Sequence, residues 1–454
     1  MVNESERTSN RALRALIAEA GCTYASLARS VNAVGAEAGV GLRYAKPSVA
    51  QWLDGARPRE PLFVAEALAR RLGRPVPLSD IGMGPSDADP GVAPDWDRLD
   101  PATALADLGS IVNRRTLITM GPYSLAAAWR LPDWEEIADR GALVATASAS
   151  TAASGPRIGV KDVEAVRAMT NMFCEVDDAH GSGQVRETAL AYLGRDVAGF
   201  LRADAPGPVR RELHRAASML AYIVGWYHWD SELHVPAQRL YGLALRLAAA
   251  ADDGPGYATV LRGMSVQAGG LGHHGTAVHL AEQAVTAAGG VGAQPLHRAF
   301  VMASLAAANG GRRDRRSALA ALTATEHALH RADTASGPTG GFHVASFEHT
   351  IALTCRGLGD VRAGAAAMVR SNRARPASER RHRAVSSGIL AELLLDLGRL
   401  DEACAAWADL LADREHLRCG QVDTAVATMR AKLRPHARVP AASALLDRAR
   451  PPGG

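Results

Sequence analysis

A chain of 454 residues, 47% hydrophobic and 22% charged, is long enough for two or three packed domains, and its net charge of +4 is too small to make the whole surface a nucleic-acid binder. No secretory signal opens it, no apolar run of roughly 18 residues is present to span a membrane, and five scattered cysteines never form a C-x-x-C, which excludes a disulfide framework or a cysteine zinc site. Alanine, leucine and arginine dominate while β-branched and aromatic runs are scarce, so the expected fold class is all-α.

In chain order, Asn10 to Ala20 carries Leu13, Leu16, Ile17 and Ala20 at the spacing of a buried helix face, and Gly21 closes it. Thr23 caps a second helix with Leu27, Ala28 and Val31 facing in. A glycine-rich connection, about Asn32 to Ala45, is expected next. Pro47 then opens a short third helix whose inner face is Val49, Trp52 and Leu53, and Gly55 ends it. With those three buried, Lys46, Ser48 and Gln51 fall on the open face. Glutamine matches adenine, lysine matches guanine, and serine serves either a base or a phosphate. Arg43, Tyr44, Arg57 and Arg59 flank the helix where DNA phosphates would lie. From Arg43 to Arg74 seven basic residues face three acids, a local charge of +4.

The segments NRALRALIAEAG, YASLARSVNAVGAEAG, YAKPSVAQWLDGARPREP and VAEALARRLGRPVPLSDIGM resemble the N-terminal domain of actinobacterial Xre-type (lambda-repressor-like) helix-turn-helix regulators that carry a long helical-repeat body. The resemblance covers roughly residues 9 to 83 closely and the remainder in general pattern only. It implies a sequence-specific transcriptional regulator, in control of development or secondary metabolism, acting on a double-stranded DNA operator.

Residues 1–83 are thus expected to form the DNA-binding domain. The run GPSDADPGVAPDWDRLDP marks a linker over 84–101, and a helical connector with a small-residue stretch follows over 102–159. Residues 160–454 are almost wholly helical pattern. Small or glycine turns near Gly181, Asp230, Gly272, Gly310, Gly359 and Gly398 recur every 38 to 49 residues, slightly longer than the roughly 34-residue tetratricopeptide unit. The best unit runs from Gly388 to Ala412, with Gly398, Ala403, Trp407 and Leu410–Leu411. The expected architecture is an N-terminal helix-turn-helix followed by a TPR-like α-solenoid of helical hairpins. Its stacked first helices would line a concave groove suited to a peptide or small-molecule effector.

Within that body, Trp226, Tyr227, His228 and Trp229 form the strongest aromatic cluster, and Trp226, Tyr227 and Trp229 are the candidate groove residues. Four consecutive positions on a helix cannot all face one side, so two are expected in the core. His273, His274, His279 and Glu282 are the densest metal-like group but read as turn and surface residues, so no metal is assigned. Glu175, Asp177 and Asp178 read as a solvated helix end. Arg114–Arg115 looks superficially like a twin-arginine export signal, far behind a folded domain. No phosphate loop, nucleophile elbow or H-E-x-x-H is present, and neither a cofactor nor an enzymatic activity is expected. The expected location is the cytoplasm, on the nucleoid. A homodimer is expected, because one short recognition helix supplies few base contacts. The alternative is a repeat scaffold for protein partners whose head does not bind DNA.

Overall fold

Asn10 starts the first helix and also ties the head together. Its side-chain oxygen accepts the Leu13 amide at 2.9 Å, its side-chain nitrogen donates to Ile81 O at 2.8 Å, and its own N–H donates to Leu53 O at 2.8 Å. The computed structural model describes residues 9–84, 101–110, 121–129, 131–137, 157–289, 294–332 and 342–450. Among them the fold is all-α: an N-terminal helix-turn-helix domain followed by a solenoid of helical hairpins.

The head comprises α1 (Arg11–Glu19), α2 (Tyr24–Glu37), α3 (Lys46–Leu53) and α4 (Pro61–Leu72). Gly21, at φ +56°, ends α1 in a Schellman turn, with Cys22 N bonded to Ile17 O and Gly21 N to Ala18 O. Leu13, Leu27, Val31, Val49, Trp52, Leu53, Phe63 and Leu68 make its core. The expected long connection is shorter than its composition suggested. Helix α2 continues through Asn32 and Gly35, and only residues 38–45 link it to α3.

The body begins with α5 (Pro101–Ser110), a short α6 (Leu125–Trp129) and α7 (Val160–His180). Helix α8 (Arg186–Tyr192) runs through a π-turn into α9 (Ala198–Arg202). Five hairpins follow. They are α10 (Gly207–Asp230) with α11 (His234–Ala250), α12 (Gly254–Gly270) with α13 (His274–Ala287), α14 (Pro295–Gly311) with α15 (Arg315–His330), α16 (Val344–Leu358) with α17 (Val361–Ala374), and α18 (Arg380–Asp396) with α19 (Leu400–Arg414). Helices α20 (Gly420–Leu433) and α21 (Pro440–Arg448) end the array. Each of the five hairpins turns on one left-handed residue: Glu232, Gly272, Arg313, Gly359 and Gly398, spaced 39 to 46 residues apart. Gly310 is not the turn residue; it lies in α14, where a Cβ would sit 2.8 Å from Thr354 O of α16. The linker over 85–100, most of the small-residue stretch and Arg114–Arg115 lie outside the described residues.

The array does not stay open. Helix α7, at its start, packs on both α10 and α18, and the end of α10 meets the start of α20. Gly183 N bonds to Arg418 O at 2.9 Å and Arg418 N to His180 O at 2.8 Å. A Cβ at Gly181 would stand 2.5 Å from Arg418 O, so this seam depends on glycine as a close approach of two backbones. Arg381 of α18 is buried in the seam, 3.0 Å from Asp177 of α7 and 3.5 Å from Asp230 of α10. Of the three carboxylates expected at a solvated helix end, Asp177 is instead part of this buried latch, while Glu175 is exposed and Asp178 half-buried. The two ends of the array therefore touch.

Candidate nucleic-acid interface

The α2–α3 connection is rigidly specified. Asn32, on α2, uses its amide as a strand would: Nδ2 donates to Tyr44 O at 2.9 Å and Oδ1 accepts Tyr44 N–H at 2.8 Å. The Tyr44 ring meets Trp52 edge-on, centroids 4.9 Å apart. Gly35 lets the loop fold back on α2, since a Cβ there would lie 2.7 Å from Leu42 Cδ1 and 2.9 Å from Val40 O. These contacts set the angle at which α3 leaves the domain.

Val49, Trp52 and Leu53 are buried, and Lys46 and Gln51 are exposed on the opposite face. Arg43 is exposed, and neither it nor Lys46 has an ion-pair partner among the described residues. Arg59 is 89% exposed, with Glu60 at 3.9 Å. Four expectations change. The Ser48 hydroxyl oxygen accepts the Ala45 N–H at 3.2 Å, so Ser48 caps α3 and offers only its proton to a phosphate. Tyr44 is a positioning residue, packed and bonded as above. Arg57 donates to Met83 O and holds the end of the domain in place. Of the basic residues counted, Arg70, Arg71 and Arg74 are committed to contacts within the head. Arg70 bridges Glu66 and Glu37, Arg71 bonds the hydroxyls of Ser26 and Ser30, and Arg74 forks onto Glu19.

Helix α3 is open to solvent on its outer face. Helix α3 packs on α1 and α2, whereas the head meets the body through the end of α2 and through α4. The contact runs through residues 121–125. Glu66 of α4 accepts Leu125 N–H at 3.0 Å, and Gln238 of α11 pairs with both backbone groups of Ser124 at 2.6 and 2.8 Å. Tyr123 is fully buried between head and body and stacks on His273, centroids 5.9 Å apart. His273 is thus an interface residue, not part of a histidine site.

In the body, the aromatic cluster divides. Tyr227 and His228 are buried, while Trp226 and Trp229 stay half-buried with ring centroids 4.6 Å apart. Tyr227 leaves the groove set because the helix turns it into the core. Burial pushes His228 down to about 4, so it is neutral near pH 7. Sequence reasoning missed Arg262, one hairpin further on. Its guanidinium lies 5.2 Å from the Trp226 ring centroid and 4.3 Å from that of Phe300, and it donates to Tyr222 OH at 3.4 Å.

Residues 13–84 match the family model described as SP15 N-terminal domain. The matched stretch takes in α1 from its third residue and the whole of α2, α3 and α4, and stops before the body. No curated protein and no solved structure matches the chain.

Proposed function

We propose that the protein is a DNA-binding transcriptional regulator whose head reads an operator and whose repeat body senses a ligand or carries self-association. The observation that carries the reading is the unencumbered face of α3. Lys46 and Gln51 point outward from a helix whose exit angle is fixed by Asn32 and Tyr44, with Arg43 and Arg59 beside it. A side chain held that way meets a base edge at little further cost in entropy. Trp226, Trp229 and Arg262 mark the surface of the body suited to an effector with a flat or anionic part. No helix among the described residues is long and apolar enough to cross a membrane.

A salt-titrated electrophoretic shift assay on genomic fragments tests the reading. Affinity should fall steeply as salt rises, because displaced counterions return to the phosphates. Failure to bind any fragment at low salt would end it. Gln51→Ala should relax preference at one operator position and cost about 1–3 kcal/mol there. Unchanged selectivity across a randomised operator pool removes Gln51 from the reading set. Arg57→Ala, given its bond to Met83 O, should lower the stability of the head by about 1 kcal/mol and leave the salt slope unchanged. A slope flatter by about one unit would return Arg57 to the phosphate-contacting set. Two heads are expected to act together on a two-part operator, which light scattering of the protein–DNA complex checks.

A further inference from the structure

Where the two ends of the array meet, they border an open cavity of about 510 Å³. One wall comes from the first end, through Gly183, Arg186 and Ser231; the other comes from the last helices, through Arg414, Arg418 and Arg448. The acids on its lining are Glu415 and Asp423, which leaves two arginines in excess. Three of the arginines make surface pairs: Arg186 with Glu187 at 3.7 Å, and, hydrogen-bonded, Arg414 with Asp423 at 3.1 Å and Arg448 with Glu415 at 3.3 Å. The acid in each pair is well exposed, 79%, 64% and 67% respectively, so these pairs add little stability and exchange readily for a better anion. Arg418 has no ion-pair partner among the described residues, yet its backbone is pinned on both sides by His180 O and Gly183 N. Its guanidinium therefore projects from a fixed point.

We propose that this seam cavity binds a soluble ligand carrying at least two linked phosphate groups. Guanidinium forks match phosphate oxygens in pairs, and a single carboxylate would satisfy only one of four arginines. Arginines on opposed walls require an anion that reaches both. The volume lies within the range of roughly 300–1,000 Å³ found for small-molecule sites. Leu411 and Leu417 give one side of the cavity an apolar surface on which a base could rest. Because the walls belong to opposite ends of the array, the occupied site clamps the seam shut, and the ligand stabilises the closed body by mass action. This inference does not depend on the head binding DNA.

Calorimetric titration of the full chain with inorganic pyrophosphate, orthophosphate and ADP tests it, with melting temperature as a second readout. Pyrophosphate should bind at least tenfold tighter than orthophosphate and raise the melting temperature. Arg418→Ala and Arg186→Ala, on opposite walls, should each weaken pyrophosphate about tenfold, the loss expected for one charge-assisted contact. Both side chains lie at the surface of the cavity, so the ligand-free melting temperature should stay within about a degree of the parent. Arg418→Lys should recover part of the affinity, since it keeps the charge and loses the fork. ADP tighter than pyrophosphate would place a base against Leu411 and Leu417, while equal affinity would mark a phosphoanhydride site; either supports the proposal. Equal affinity for orthophosphate and pyrophosphate would overturn it. So would indifference to both arginine variants, or loss of binding in an Arg43→Ala/Lys46→Ala variant, which would move the anion to the head.

Discussion

Arg381→Ala should lower the unfolding free energy of the protein by about 3–5 kcal/mol, the cost of leaving a buried charge without its partner. Arg381 is 4% exposed, and Asp230, at 3.5 Å, is fully buried. Asp230 also receives the Ser182 hydroxyl and the Cys419 thiol, the latter at 3.3 Å. Removing the guanidinium strands two carboxylates in a buried seam. At Asp177, burial pushes the carboxyl up to about 7 against the attraction of Arg381. A carboxyl whose folded pKa is raised binds its proton more tightly when folded. Its ionisation therefore costs stability as pH rises from the unfolded value of 3.8 through about 7. The deficit of Arg381→Ala should accordingly be smaller at pH 6 than at pH 8, and Asp177→Asn in that background should restore part of it. Urea unfolding at the two pH values measures this. A deficit under about 1 kcal/mol, or one independent of pH, would show that the seam is wet and the latch ornamental.

The latch was invisible in the sequence for a physical reason. Helical periodicity reports which face of one helix is buried, not which distant helix covers it. Asp177 and Arg381 sit near opposite ends of the body, and nothing local pairs them. Local chemistry was legible: Thr23 caps α2 by accepting Ser26 N–H, Pro47 lies in the first turn of α3, and Ala403, Trp407 and Leu410 are all fully buried in the unit read as most TPR-like. The errors fell where a residue has two uses. Asn32 and Gly35 are poor helix formers and looked like loop, but Asn32 is spent on Tyr44 and Gly35 on contact with Leu42. Gly310 looked like a turn and is a close helix crossing, while Arg313, at φ +63°, takes the strained position a glycine would normally hold. In the candidate site the exposed pair Lys46 and Gln51 followed directly from burying Val49, Trp52 and Leu53. Ser48, Tyr44 and Arg57 did not, because each has a partner that only the folded chain supplies.

Glu66→Ala should cost about 3 kcal/mol and loosen the head from the body. Glu66 is 4% exposed, and its Oε1 accepts both Arg70 Nε at 2.9 Å and Leu125 N–H at 3.0 Å. The substitution leaves the Leu125 amide buried without an acceptor. It leaves Arg70 to Glu37 at 2.8 Å and Tyr123 O at 3.0 Å, so the arginine is weakened but not stranded, which keeps the cost toward the lower end for a buried pair. Glu66→Gln keeps an acceptor for Leu125 and should lose less than half as much. Hydrogen exchange resolves the mechanism: the amides of Ser124 and Leu125 should exchange faster in Glu66→Ala, while those inside α12 should not. Equal acceleration throughout would mean global destabilisation, not release of this joint. If the body governs the head, the signal crosses here, since Gln238 holds Ser124 from the body while Glu66 holds Leu125 from the head. Any effector that changes operator affinity in the parent protein should then lose its effect in Glu66→Ala, while affinity without effector stays within about threefold (about 0.6 kcal/mol). A fully preserved effector response would place the coupling elsewhere along the contact, with His273 and Tyr123 the next pair to remove.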